Sequence, residues 1–82
     1  MRTLPTRRFE RSYAAAPAVV REAADKQLRL LLQNLHHPSL HAKRFPERGP
    51  DVWQARITKA WRFYFTIDAD TYVLIDMIKH PN

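Results

Sequence analysis

Two arginines stand in the most strand-like stretch of the chain, VWQARITKAWRFYF, at positions 56 and 62. Alternate residues of a strand share a face. Trp53, Ala55 and Ile57 therefore point one way, and Gln54, Arg56 and Thr58 the other. In the following stretch Trp61, Phe63, Phe65 and Ile67 share a face, with Arg62, Tyr64 and Thr66 opposite. The two apolar faces coincide only if the connecting loop is odd, most simply Thr58, Lys59 and Ala60. A two-residue loop would set Ile57 against Arg62 and turn one apolar set to water. The odd loop places Arg56 directly across from Arg62 and Gln54 across from Tyr64. In a third stretch, Val73, Ile75 and Met77 continue the apolar face, and a loop of about three residues sets Asp76 opposite Tyr64. His80 then falls beside Arg62. The polar face gathers Gln54, Arg56, Arg62, Tyr64, Asp76 and His80.

Opposed arginines repel by about a few tenths of a kcal/mol. A phosphate between them reverses the sign, because each guanidinium can hold two oxygens. The competing reading is that Asp76 and a nearby glutamate neutralise the pair. A phosphate held beside a histidine suits RNA cleavage by the adjacent 2′-hydroxyl. That reaction needs a base for the hydroxyl, charge stabilisation at phosphorus and an acid for the leaving oxygen. Arg56 and Arg62 fit the second role. His80 fits one of the others, since imidazole titrates near neutrality; its competing reading is a surface residue at the end of a strand. Tyr64 can orient or donate.

Lys43, Arg44, Arg48, Lys59 and Lys79 are candidate phosphate contacts. Trp53, Trp61, Phe63 and Phe65 could stack on bases, but they lie on the face assigned to the core. His36, His37 and His41 match no familiar metal spacing and have no cysteine beside them. They read as helix-end and loop residues, and no metal or other cofactor is expected. Asp68 and Asp70 read as turn residues.

The elements that must hold these groups follow from punctuation. Met1 to Leu4 reads as a short strand ended by Pro5. Thr6 is a candidate N-cap for a short helix with Phe9 and Tyr13 on one side. Pro17 suits the first turn of a second, longer helix. Val20, Ala24, Leu28, Leu31 and Leu35 form its apolar stripe, and it stops by Asn34. The basic, turn-rich segment HAKRFPERGP is expected to contain an irregular loop around Gly49 and Pro50. Strands are expected at Val52 to Ile57, Trp61 to Ile67 and Tyr72 to Ile78, joined as antiparallel hairpins. The fold class is α+β: a short strand, two helices and a three-stranded antiparallel meander, with one sheet face covered by the long helix.

The 82 residues make one domain, 1–82. With no cysteine, the core must come from packing, which a hydrophobic content of 45% permits. No run approaches the ~20 apolar residues that span a bilayer, and MRTLPTRRFERSY lacks the apolar stretch of a signal peptide. A cytoplasmic protein without membrane contact is expected. The net charge of +6 points to a polyanionic partner. Ten of the fourteen basic residues are arginine, the better bidentate phosphate ligand.

Nearly the whole chain resembles the RelE/ParE superfamily of bacterial toxin–antitoxin toxins. The likeness rests on Phe9 in the first helix, LLLQNLHHPSL at the end of the second, AKRF, the hairpin VWQARITKAWRFYFTID and the final YVLIDMIKHPN. The strongest piece is R-I, a short turn and W-R-F-Y-F. The resemblance implies a small α/β toxin neutralised by a cognate antitoxin. RelE-like members cut mRNA in the ribosomal A site without metal; ParE-like members poison DNA gyrase instead, and a third reading is a catalytically inactive member of the fold that only binds an antitoxin. It implies that Arg62 stabilises the cleaved phosphate, that Arg56 contacts it, and that His80 supplies acid–base or stacking help.

Overall fold

The computed structural model describes residues 1–80; Pro81 and Asn82, the last two residues of the C-terminal likeness, lie outside the described residues. The elements are β1 (Arg2–Pro5), α1 (Arg7–Ala15), α2 (Ala18–Gln33), β2 (Lys43–Arg44), β3 (Trp53–Arg56), β4 (Trp61–Asp68) and β5 (Thr71–Lys79). Single 3-10 turns, Pro38–Leu40 and Pro46–Arg48, flank β2. The strands form one mixed sheet in the order β1-β5-β4-β3-β2, with β1 parallel to β5 and the other pairs antiparallel. The architecture is α+β, as expected, but the sheet has five strands. None of the described helices is long and apolar enough to cross a membrane.

Two of the extra pairings explain themselves. Pro5 is the last residue of β1, across from Leu74, so the strand includes the proline expected to end it. Arg2 N donates to the Asp70 carbonyl, just before β5, and Thr6 N to the Leu74 carbonyl on it, so the missing N–H of Pro5 falls on the outer edge, where no bond is lost. Lys43 and Arg44, in the segment read only as basic and turn-rich, pair with Gln54 and Trp53. A two-residue strand carries no periodicity to read.

β1 covers β5 only as far as Leu74, and α1 takes over from there. Thr6 is the N-cap: its Oγ1 accepts from Phe9 N at 3.2 Å and donates to the Ile75 carbonyl at 3.0 Å. α1 then runs beside the rest of β5 and inserts Phe9 into the core. The second helix starts one residue later than expected, with Pro17 as its N-cap. Val20, Ala24, Gln27 and Leu31 are its buried residues, whereas Leu28 and Leu35 are half-buried. Gln27 replaces the expected Leu28 on the inner stripe because its amide is used: Nε2 donates to the carbonyls of Ser39 at 3.1 Å and Arg56 at 2.9 Å. A buried amide is tolerated when hydrogen-bonded.

The core lies between the helices and one sheet face. Ala55, Phe63, Phe65, Tyr72, Leu74 and Met77 are buried there, with Trp53 and Trp61 packed against them. Phe65 stacks on Trp53 at 6.2 Å and meets Tyr72 edge-on at 5.6 Å. Trp53, Trp61, Phe63 and Phe65 thus belong to the core face. On β5 the expected parity holds only for the second half. Asp76 pairs with Tyr64 and Met77 with Phe63, but Leu74 pairs with Phe65, so Ile75 is an extra, bulged residue. Tyr72 and Leu74 face the core in place of Val73 and Ile75. The β4–β5 turn is correspondingly one residue shorter than expected: Asp68 pairs with Thr71, and Ala69 takes φ 52°. A two-residue turn and a one-residue bulge leave the far half of the hairpin in the same register as a three-residue turn.

Candidate functional site

No helix covers the second sheet face at its lower end. Arg56 and Arg62 are direct register partners there, as the parity argument requires. They line a cleft of about 420 Å³ together with His41, Lys43, Gln54 and His80. Every titratable side chain in that lining is basic.

Each arginine is held differently. Arg62 donates from Nη1 to the carbonyls of Thr58 at 2.7 Å, Lys59 at 3.0 Å and Trp61 at 3.0 Å. Burial, and then the charge on Arg56, push its guanidinium below the ordinary arginine pKa, with Tyr64 opposing. Arg56 is half-buried, and its Nε is a buried donor with no partner among the described residues. A buried, unsatisfied donor on a cation is costly.

The competing reading, neutralisation by Asp76, does not describe the molecule. Asp76 is buried, across from Tyr64, but Arg8 Nε binds its Oδ2 at 2.9 Å and Ser12 Oγ its Oδ1 at 2.6 Å. Its Oδ1 also accepts from Met77 N at 2.8 Å. Among the described residues, no ion pair reaches Arg56 or Arg62.

The rest of the face is a packed polar row. Lys43 stands across from Gln54, and Gln54 Nε2 donates to the Tyr64 hydroxyl at 3.2 Å. Tyr64 is buried, with the Arg48 guanidinium 4.4 Å from its ring centre and Phe45 5.5 Å away. Its ring is therefore a support for Arg48, a cation–π contact. His80 follows β5 with its backbone N–H bonded to the Ala60 carbonyl, which sets it beside Arg62 at the mouth of the cleft.

Of the residues expected at the site, Arg56, Arg62, Lys43 and His80 meet in one cleft, and Arg48 and Tyr64 stack nearby. Three do not join them. Arg44 pairs with Trp53, turns to the opposite face and lies 5.6 Å from that indole, with Nη2 on the Pro50 carbonyl at 2.7 Å. Lys79 pairs with Trp61 and shares its face. Lys59 is exposed at the hairpin tip, lending its carbonyl to Arg62.

His41 was not among the expected site residues, yet it lines the cleft. It caps the Pro38–Leu40 turn in the left-handed region, φ 48° and ψ 41°, a conformation in which histidine is enriched. Its placement depends on β2 pairing with β3, which no pattern in the sequence signals. His37 has a local role, its Nδ1 accepting from Ser39 N at 3.2 Å. No group of three His, Cys, Asp or Glu among the described residues could hold a metal ion.

No protein-family model matches the chain, and no curated protein matches it by sequence. By structure it is similar to a YoeB/ParE toxin from Agrobacterium tumefaciens, with a TM-score of 0.82 and 16% identity over 99% of this chain and 100% of that one. It is similar to the isolated RelE toxin of E. coli, with a TM-score of 0.73 and 14% identity over 98% and 84%. It is also similar to a chain of the RelB–RelE antitoxin–toxin complex from Methanococcus jannaschii, with a TM-score of 0.70 and 15% identity over 93% and 88%. At these identities the likeness establishes the fold, which is that of the RelE/ParE toxins.

Proposed function

We propose that this chain is the toxin of a toxin–antitoxin pair and an endoribonuclease that cuts mRNA on the ribosome. The observation that supports this most is the Arg56–Arg62 pair, opposed in register, unneutralised by any carboxylate among the described residues and flanked by two histidines.

In the proposed reaction the two guanidiniums hold the scissile phosphate. The 2′-oxygen of the preceding ribose attacks phosphorus, and the bond from phosphorus to the 5′-oxygen breaks. One histidine takes the 2′-hydroxyl proton and the other donates a proton to the leaving oxygen, giving a 2′,3′-cyclic phosphate and a 5′-hydroxyl end. Charge that accumulates on the phosphoryl oxygens is met by Arg56 and Arg62, an electrostatic contribution that is commonly the largest in such sites. Lys43 and Arg48 contact neighbouring phosphates. The step uses side chains alone. A cognate antitoxin with an acidic segment neutralises the toxin by covering this basic face, which the net charge of +6 favours.

The Agrobacterium structure, described as YoeB/ParE, supports a second reading in which the same face engages DNA gyrase. Induction of the chain in growing cells separates the two. New 3′ ends within translated messages, absent for Arg62→Ala, support the nuclease. Intact messages with lost supercoiling activity support the gyrase reading.

A further inference from the structure

The loop joining β3 to β4 carries more hydrogen bonds than a hairpin needs. Ile57 N and Thr58 N bond to the Trp61 carbonyl, and Trp61 N to the Thr58 carbonyl; these close the turn. Several others remain. Ala60 N donates to Thr58 Oγ1 at 3.2 Å, so the threonine side chain braces the loop from within. Two loop carbonyls, of Thr58 and Lys59, take Arg62 Nη1, together with that of Trp61 at the start of β4. The Ala60 carbonyl takes the backbone N–H of His80.

We infer that Thr58 is a positioning residue of the phosphate site, acting through the loop carbonyls that hold both Arg62 and His80. The inference rests on the functional reading above. Arg62 lies on β4 and His80 just past the end of β5, and this short loop is bonded to both. Nη1 lies on the Cδ side of a guanidinium. Tying it down leaves the Nε–Nη2 edge as the fork, the edge that can give two parallel bonds to a phosphate. The carbonyl dipoles also place negative charge beside a cation that faces Arg56, which lets the two arginines approach before a phosphate arrives. A guanidinium so fixed is preorganised, and small misplacements of such groups cost large factors in rate.

The test compares wild type, Thr58→Val and Thr58→Ser. Valine keeps the shape and removes the acceptor; serine restores it. The first readout needs no activity: nitrogen-edited NMR of the Arg62 guanidinium, assigned by loss of its signals in Arg62→Lys. Wild type and Thr58→Ser should show separate, slowly exchanging Nη protons, and Thr58→Val a merged, exchange-broadened set. The second readout is single-turnover cleavage of ribosome-bound message. Thr58→Val should be slower by about tenfold or more at saturation, with half-saturation unchanged and the rate restored by Thr58→Ser. Wild-type guanidinium signals in Thr58→Val, or equal impairment of Thr58→Ser, would overturn the inference. Should wild type cleave no message, the nuclease reading falls and the NMR comparison alone decides the role of Thr58.

Discussion

The guanidinium of Arg8, on α1, holds the carboxylate of Asp76, on β5, with Nε 2.9 Å from Oδ2. This contact ties the first helix to the sheet. It also withdraws the buried acid of the polar face from the two arginines. The account of the site depends on that division.

Removal of Asp76 should therefore damage the fold. Asp76→Ala leaves Arg8, Ser12 and the Met77 N–H without their acceptor and is expected to cost about 2–4 kcal/mol. Arg8→Ala is milder, about 1 kcal/mol, because Arg8 itself is largely exposed and Ser12 still serves the acid. Urea denaturation of both variants measures the order.

Arg56 should behave in the opposite way. Its backbone carbonyl, not its side chain, receives Gln27, and its charge faces Arg62. Arg56→Ala is expected to leave stability within about half a kcal/mol of wild type, or to raise it slightly. Cleavage should fall by about a hundredfold or more. A variant that folds as well and works far worse marks a residue kept for function.

The two histidines should each be needed for cleavage. With one acting as base and the other as acid, each substitution removes one proton transfer. His41→Asn suits the left-handed backbone at that position, so the loss reports the imidazole and not the turn. His41→Asn and His80→Ala are each expected to lower the single-turnover rate by about 10²-fold or more, measured at one pH on variants shown by circular dichroism to fold as wild type.

Alkali should loosen the contact between the helices. Tyr13 donates its hydroxyl to Asp25 Oδ1 at 2.9 Å. That bond first, then burial and the Asp25 charge, raise the Tyr13 pKa above its ordinary 10.0. A raised folded-state pKa means that the bond contributes fully below the unfolded value and is lost as pH rises through the folded one. Tyrosinate absorbance should show a late-titrating component that is absent in Tyr13→Phe. The stability difference between the two proteins should vanish at high pH.

Much of this was legible in the sequence, and the failures have physical reasons. Arg56 across from Arg62, Gln54 across from Tyr64 and Tyr64 across from Asp76 all follow from the period of two and one odd loop. The same rule misplaced Val73 and Ile75, because the short β4–β5 turn and the bulge at Ile75 shift the register by equal and opposite amounts. Only residues between turn and bulge are affected. The bulge falls where β1 gives way to α1, a tertiary event with no local signature. His41 was illegible for a related reason. Its place in the cleft depends on a two-residue strand, Lys43–Arg44, too short to show a pattern.

The central claim is that Arg62 stabilises the phosphate of a message cut on the ribosome. Its most direct test is a purified translation system in which ribosome-bound message is mapped by primer extension, with wild type beside Arg62→Ala. New ends in the A-site codon with wild type, lost in Arg62→Ala while that variant still folds, are the predicted result. Intact message and undisturbed translation with folded wild-type protein would contradict it.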